Sequence, residues 1–301
     1  MSAVDLHIHS KWSGDGELPV SSILEMCKSA GIKLLSITDH NSVRGAGEAL
    51  QYSKGSGLRV IPGVELDCTH NELNLHLLGY GIDHTLCEFS EIEASIISQE
   101  KGIAEEKLRL FQKATGISLE SEINEIIAAS DGFITGEVIA ERLLKKENAS
   151  DYEILKPYLP GGAKSDMPNA WFYWDFFSPG KPAYIPIKNI SLCEAISLIK
   201  KAGGIPVLAH PGQSLSGNYN ELNGIIAEGV CGIEVFSSYH TKETAEYFLG
   251  VAAENGLLIT CGSDFHGKNK PNIQLGDHGS WLPDSEIIKN IEEKLQALTL
   301  P

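Results

Sequence analysis

Side chains able to hold a metal ion recur along this chain at the ends of its apolar, strand-like runs. That placement limits the fold more than any other feature. The residues are His7, His9, Asp15, His40, Glu65, His76, His210, Asp264 and His266. All are histidines or carboxylates, and they outnumber the four closed ligands of a structural zinc. Such a set suits two or three divalent ions that share carboxylates and leave positions open for water and substrate. That is the equipment of metal-assisted hydrolysis. Manganese, iron and zinc all accept mixed imidazole and carboxylate ligands, so the donor set leaves the metal open.

Local patterning places these residues. Residues 3–9 alternate as a strand, so His7 and His9 project from one face. Residues 19–30 read as a helix stopped by Gly31. Residues 33–38 form an apolar strand ending at Asp39-His40, 43–54 a weaker helix, and 58–66 and 73–80 further strands. After residue 83 the pattern changes. Residues 90–114 read as one long amphipathic helix, 121–129 and 137–146 as shorter ones, and 157–186 as a segment rich in turn formers and aromatics. Alternation resumes with helix 192–202, strand 205–209, strand 232–236, helix 241–255, strand 257–261 and helix 285–297. Strands alternating with helices imply a parallel sheet with right-handed crossovers. An open sheet would spread the candidate ligands along an edge, whereas a barrel gathers its strand ends round one mouth. The expectation is therefore an α/β barrel built from 1–82 and 188–301. Residues 83–187 would be a mainly helical insertion that forms a lid.

Size and charge narrow the function. A chain of 301 residues, 42% hydrophobic and 21% charged, is ordinary for a globular protein with a sizeable core. A formal charge of -16 opposes binding to duplex nucleic acid, which needs a basic face. It leaves room for a small anionic substrate, because bound metal ions invert the local field. Six cysteines occur without a C-x-x-C pair, several of them inside apolar runs. Reduced thiols in a cytoplasmic protein are expected. No signal peptide is visible, and no run approaches the ~18 apolar residues of a membrane span.

Five segments, taken in order, carry a family resemblance. They are Asp5-Leu6-His7-Ile8-His9-Ser10, Thr38-Asp39-His40, Pro62-Gly63-Val64-Glu65, Leu208-Ala209-His210-Pro211 and Gly262-Ser263-Asp264-Phe265-His266-Gly267. This ordered set resembles the motifs of the polymerase and histidinol phosphatase (PHP) superfamily. The nearest likeness is to its stand-alone bacterial phosphoesterases, which include nucleotide 3',5'-bisphosphate phosphatases and RNA 5'-end trimming enzymes. The likeness covers residues 3–82 and 188–280. It implies a distorted seven-stranded, TIM-like β/α barrel. It also implies a division of ligands. His7, His9, Glu65 and Asp264 would hold one ion. Glu65, His76 and His210 would hold a second, and Asp15, His40 and His266 a third. Many relatives carry histidine where Asp15 stands, while the stand-alone branch often has aspartate.

Three further residues are candidates for the chemistry. Asp39 adjoins a ligand and is expected to orient an imidazole. Glu234 sits at a strand end, in position to act on the site or to bind backbone amides. His240 matches a histidine of the relatives and is expected to contact phosphate or to protonate the leaving group. His70, His84 and His278 match nothing and read as structural.

The insertion departs from the family. A basic motif resembling R-x-H-I-A-R would put histidine at Val138 and arginine at Glu141, while Arg142 lies one step away and is a candidate substrate contact. Trp171-Phe172-Tyr173-Trp174-Asp175-Phe176-Phe177 offers either a subdomain core or a platform for base stacking by Trp171 and Trp174. Together these readings predict a metal-dependent phosphoesterase acting on small phosphorylated metabolites, nucleotides foremost. A histidinol-phosphatase-like monoesterase is one rival, and an amidohydrolase-type enzyme acting on a carbonyl is the other.

Overall fold

A computed structural model describes residues 2–119 and 134–299. The helix expected over 121–129 lies outside the described residues. Among the described residues nine strands form two sheets. Strands β1 (Val4–Ile8), β2 (Leu34–Ile37) and β3 (Arg59–Val60) make a parallel three-stranded sheet. The second sheet contains β4 (Gly63–His70), β5 (Leu73–Tyr80), β6 (Ile190–Ser191), β7 (Ile205–Leu208), β8 (Gly232–Ser237) and β9 (Leu258–Gly262). Its order is β6-β4-β5-β7-β8-β9.

This sheet is mixed, which corrects the expectation of parallel strands throughout. β5 runs antiparallel to both β4 and β7, because β4 and β5 are joined by a tight turn at Asn71 rather than by a crossover helix. The single strand expected over 58–66 is also split. Pro62 has no N–H for a ladder, and the chain changes sheets there.

No continuous ladder joins the two sheets among the described residues, so the predicted seven-stranded closure is not seen as such. Two short seams draw their edges together instead. Ile8 bridges Phe265, with His9 N–H donating to the Phe265 carbonyl at 2.9 Å and Asp264 N–H to the His7 carbonyl at 2.8 Å. His40 bridges Glu65, and Asn41 N–H donates to the Glu65 carbonyl at 2.7 Å. Both seams lie at the ends that carry the candidate ligands.

The local pattern explains the layers. On β1, Val4, Leu6 and Ile8 enter hydrophobic clusters, while Asp5, His7 and His9 share the opposite face. Helix Val20–Ala30 buries Val20, Ile23, Leu24 and Cys27 and ends at Gly31, whose φ of 82° suits a residue without Cβ. Helix Leu192–Lys201 begins with a capping box between Ser191 and Glu194.

A separate hydrophobic cluster lies between residues 104 and 183. Helices Cys87–Thr115, Gly136–Leu144 and Pro168–Phe176 supply it. The last of these was not anticipated. Its apolar residues cover the whole circumference, so no 3.6-residue period marks it. Phe111 packs against Phe172, Phe176 and Phe177 at centroid distances of 5.5, 5.4 and 5.7 Å. Polar contacts fasten these helices to the strand ends. Asn169 donates to Asn269 at 2.8 Å, and Lys268 donates to Glu141 at 2.9 Å. No described helix is long and apolar enough to cross a membrane.

Candidate metal centre

Four side chains meet where β1 and β9 end and β4 begins. Glu65 Oε2 lies 3.1 Å from both His7 Nε2 and His9 Nε2. Asp264 Oδ1 lies 3.3 and 3.0 Å from the same two nitrogens, which are themselves 3.1 Å apart. The other carboxylate oxygen of Glu65 lies 3.1 Å from His76 Nδ1 and 3.2 Å from His210 Nε2. Glu65 therefore spans two adjoining groups. Beside them, His266 Nε2 is 3.0 Å and His40 Nε2 3.8 Å from Asp15 Oδ2. His9 stacks on His266 at 3.9 Å and joins this third group.

The donor set fits divalent ions. Buried atoms His76 Nδ1, Asp264 Oδ1 and His266 Nε2 make no hydrogen bond. Their neighbours at 3.0–3.1 Å are close enough but wrongly aligned. Atoms that point at a shared space rather than at each other are what an ion requires.

The other edge of most rings is tied down. His7 Nδ1 bonds Glu234 at 2.9 Å, and His40 Nδ1 bonds Asp67 at 2.8 Å. His9 and His210 bond Ser13 and Ser214 through Nδ1, each at 3.1 Å, and His266 Nδ1 bonds the Asp264 carbonyl at 2.8 Å. Such contacts fix the tautomer and aim Nε2 inward. Asp67 was not singled out from sequence. It lies two residues beyond Glu65 on β4, hence on the same face, and that period was the available signal.

Electrostatics follow from this crowding. Burial would raise the Glu65 carboxyl, but His7, His40 and His76 hold it well below the usual range. Burial likewise works against Asp264, while Lys270, His266 and His7 bring it well down. Burial would lower His7, yet Glu65, Glu234 and Asp264 raise it well above an ordinary histidine.

Backbone strain marks the same places. His210, Asp264 and Asn41 have φ of 23°, 58° and 54°. Such conformations cost about 1–3 kcal/mol each and persist where surroundings over-determine them. The surroundings are visible. Glu234 Oε2 accepts His210 N–H at 2.8 Å. Asp5 accepts Ser263 N–H at 2.9 Å and Gly276 N–H at 2.7 Å. Lys270 Nζ donates to Asp264 Oδ2 and to Tyr239, both at 2.7 Å. At Gly262 an added Cβ would fall 2.1 Å from His7 Cβ, so only glycine admits the first histidine.

A model of the PHP domain matches residues 5–158. Over 304 aligned residues the chain is 30% identical to the 3',5'-nucleoside bisphosphate phosphatase of Chromobacterium violaceum, covering 100% of this chain and 99% of that protein. The chain belongs to the PHP family. It is also 28% identical to the 5'-3' exoribonuclease Rnm of Escherichia coli, over 93% of this chain and 89% of that one. Among solved structures, one described as a metal-dependent phosphoesterase from Bifidobacterium adolescentis matches with a TM-score of 0.74 at 27% identity. That match covers 96% of this chain and 94% of its own.

Against this PHP frame, the remaining candidates fall in different places. Glu234 holds the His7 ring and the His210 backbone at once. Asp39 touches no imidazole. Its carboxylate accepts Ser10 N–H at 2.6 Å and Ser10 Oγ–H at 2.8 Å, fixing the loop after His9. Burial raises it to about 6. His240 differs from expectation. Nδ1 bonds the Val235 carbonyl at 2.8 Å, and Nε2 accepts Gly212 N–H at 3.0 Å. Both nitrogens are committed to backbone, so this ring anchors the loop after His210 and has no proton to offer a leaving group.

The cluster opens into a cavity of about 290 Å³ whose far wall comes from the insertion. Tyr173, Trp174, Phe177 and Tyr184 line it. Trp171 and Arg142 do not. The Trp171 indole N–H instead donates to Asp166 at 3.1 Å. Phe172, Phe176 and Phe177 are buried in the insertion's core.

Proposed function

We propose that this PHP protein is a metal-dependent phosphoesterase that hydrolyses phosphate esters of small nucleotides. The observation that carries the reading is Glu65, fully buried, with one oxygen among His7, His9 and Asp264 and the other between His76 and His210. In this reading these residues hold two adjoining divalent ions, and Asp15, His40 and His266 hold a third. Bound ions ionise water near neutral pH and neutralise charge on phosphoryl oxygens. The chain's own residues position. Glu234, Asp67, Ser13 and Ser214 aim the imidazoles, and Lys270 with Tyr239 turns Asp264 Oδ1 toward His7 and His9. Arg142 and Trp171, offered from sequence as substrate contacts, are left out of this reading, and Trp174 is kept.

The two sheets are read as halves of one distorted barrel. The seams at Ile8/Phe265 and His40/Glu65 support this, since both sit at the mouth. Residues 83–187 then act as a lid that contacts the part of the substrate remote from the phosphate. The names of the bisphosphate phosphatase, exoribonuclease and phosphoesterase relatives favour phosphorus over carbonyl chemistry. A work-place in the cytoplasm is supported by the three buried free thiols Cys27, Cys68 and Cys261.

The test is a panel of phosphate esters and carboxamides assayed after chelation and add-back of single metals. Phosphate ester turnover that disappears with the metal is expected. Full turnover by metal-free protein, or faster cleavage of carboxamides, would overturn the reading.

A further inference from the structure

Asp15 sits in a turn between Gly14 and Gly16. Glycine on both sides leaves that backbone wide freedom, so the carboxylate stays in place only if other groups hold the turn. Its side chain meets Ser13, whose Oγ–H donates to Oδ1 at 2.7 Å, and His266, whose Nε2 lies 3.0 Å from Oδ2. Its carbonyl accepts from the Asn269 side-chain amide at 2.5 Å. A carbonyl can only accept, so Asn269 must turn its NH2 toward Asp15 and its oxygen away. That oxygen accepts from the Asn169 amide at 2.8 Å. Asn169 belongs to the insertion, in the first turn of helix Pro168–Phe176. Both asparagines are buried, so water is no ready substitute for either bond. The result is a directed chain of hydrogen bonds from a lid helix to the backbone of a candidate ligand.

A second link runs beside it. Lys268 Nζ donates to Glu141 of the insertion at 2.9 Å, and Lys268 N–H donates to Glu17, two residues after Asp15, at 2.7 Å. The piece common to both links is the short turn Gly267–Asn269, which begins next to His266. The insertion thus docks on the residues that join Asp15 to His266. The bonds that aim His7 and His210 come from Glu234 and Ser214, outside the insertion.

We propose that Asn169, acting through Asn269, is a positioning residue for Asp15, so that the third ligand group reaches full affinity for a divalent ion only with the insertion docked. The inference rests on the reading that gives Asp15, His40 and His266 a third ion, and deepens it by naming what holds that group together. The thread runs through two amides, apart from the aromatic wall. Breaking it weakens one ion and leaves in place the two that share Glu65.

The experiment titrates the chelated full chain with manganese(II) and counts bound ions against free metal. Wild type should take up three ions and Asp15→Ala two. Asn269→Ala should weaken the third ion by about 10- to 100-fold, as loss of a contact behind a ligand does. Asn169→Ala, one bond further out, should weaken it by roughly 3- to 10-fold. Asn169→Asp keeps the size and loses the donor. It should act as Asn169→Ala does, and it decides the matter if the alanine variants misfold. In the Asp15→Ala background, Asn169→Ala should cost no further ion, a coupling that a general loss of stability would not produce. Titrations of the Asn169 variants superimposable on wild type overturn the inference and leave the three-ion reading standing. Weakening spread over all the ions, or a further loss in the Asp15→Ala background, assigns Asn169 to the fold at large and also overturns it. Equal ion counts for wild type and Asp15→Ala overturn the three-ion reading itself.

Discussion

At the strand ends, five of the six converging histidines have Nδ1 tied to a carboxylate, a hydroxyl or a carbonyl, and Nε2 is left facing its neighbours. On the lid, most aromatic side chains are instead buried against one another, and only part of the cluster reaches the cavity. The first region crowds polar atoms together and leaves His76 Nδ1, Asp264 Oδ1 and His266 Nε2 without a hydrogen bond. The second satisfies itself and presents a remainder. In the proposed function, chemistry falls to the region where geometry is over-determined, and choice of substrate to the region where a few exposed faces can change without disturbing the rest.

That contrast can be tested from its strongest point outward. Glu65→Ala removes the carboxylate common to two ligand groups. Activity should fall on the order of 10³-fold or more, and elemental analysis should show loss of more than one ion per chain. Loss of a single ion with activity near wild type would mean that Glu65 does not join the two groups. Glu234→Gln should cost about 10- to 100-fold in metal affinity, since it frees the His7 ring and the His210 backbone together. Metal titrations superimposable on wild type would show that the rings hold their aim without it.

The weakest effects belong to the lid. Trp174→Ala should cost about 1–3 kcal/mol on nucleotide substrates and much less on a small aryl phosphate. Trp171→Ala should cost less than Trp174→Ala on the nucleotide, because its indole bonds Asp166 and lies off the cavity wall. If both variants lose nucleotide and aryl phosphate activity alike and melt early, these tryptophans serve the lid's core alone.

Much of the site was readable because its residues follow apolar strands. Period two put His7 beside His9, and the runs before His40, His210 and Asp264 showed where those strands stop, whereas the strand expected to end at Glu65 begins at Gly63 and runs on to His70. The same rule would have yielded Asp67. What sequence did not give was the partner on the far side of each ring. Glu234 and His240 look equivalent as polar residues near the end of β8. Yet one meets a ligand, and the other bridges Val235 and Gly212. Only the packed loops decide that difference. The antiparallel β5 was obscured for a related reason. Strand pattern records which face is buried, not which neighbour is paired, and the tight turn at Asn71 reverses direction without a compositional signal beyond its two polar residues.

The seam between β1 and β9 has a consequence for how the protein comes into being. His7 and His9 are made early in synthesis, and Asp264 and His266 near its close. No nascent chain short of β9 holds a full complement for the first group of ligands. Contacts this distant in sequence are slow to form, since long loops must close before they are rewarded. The first group of candidate ligands is therefore complete only once β9 has docked and placed Asp264, in its left-handed conformation, beside His7.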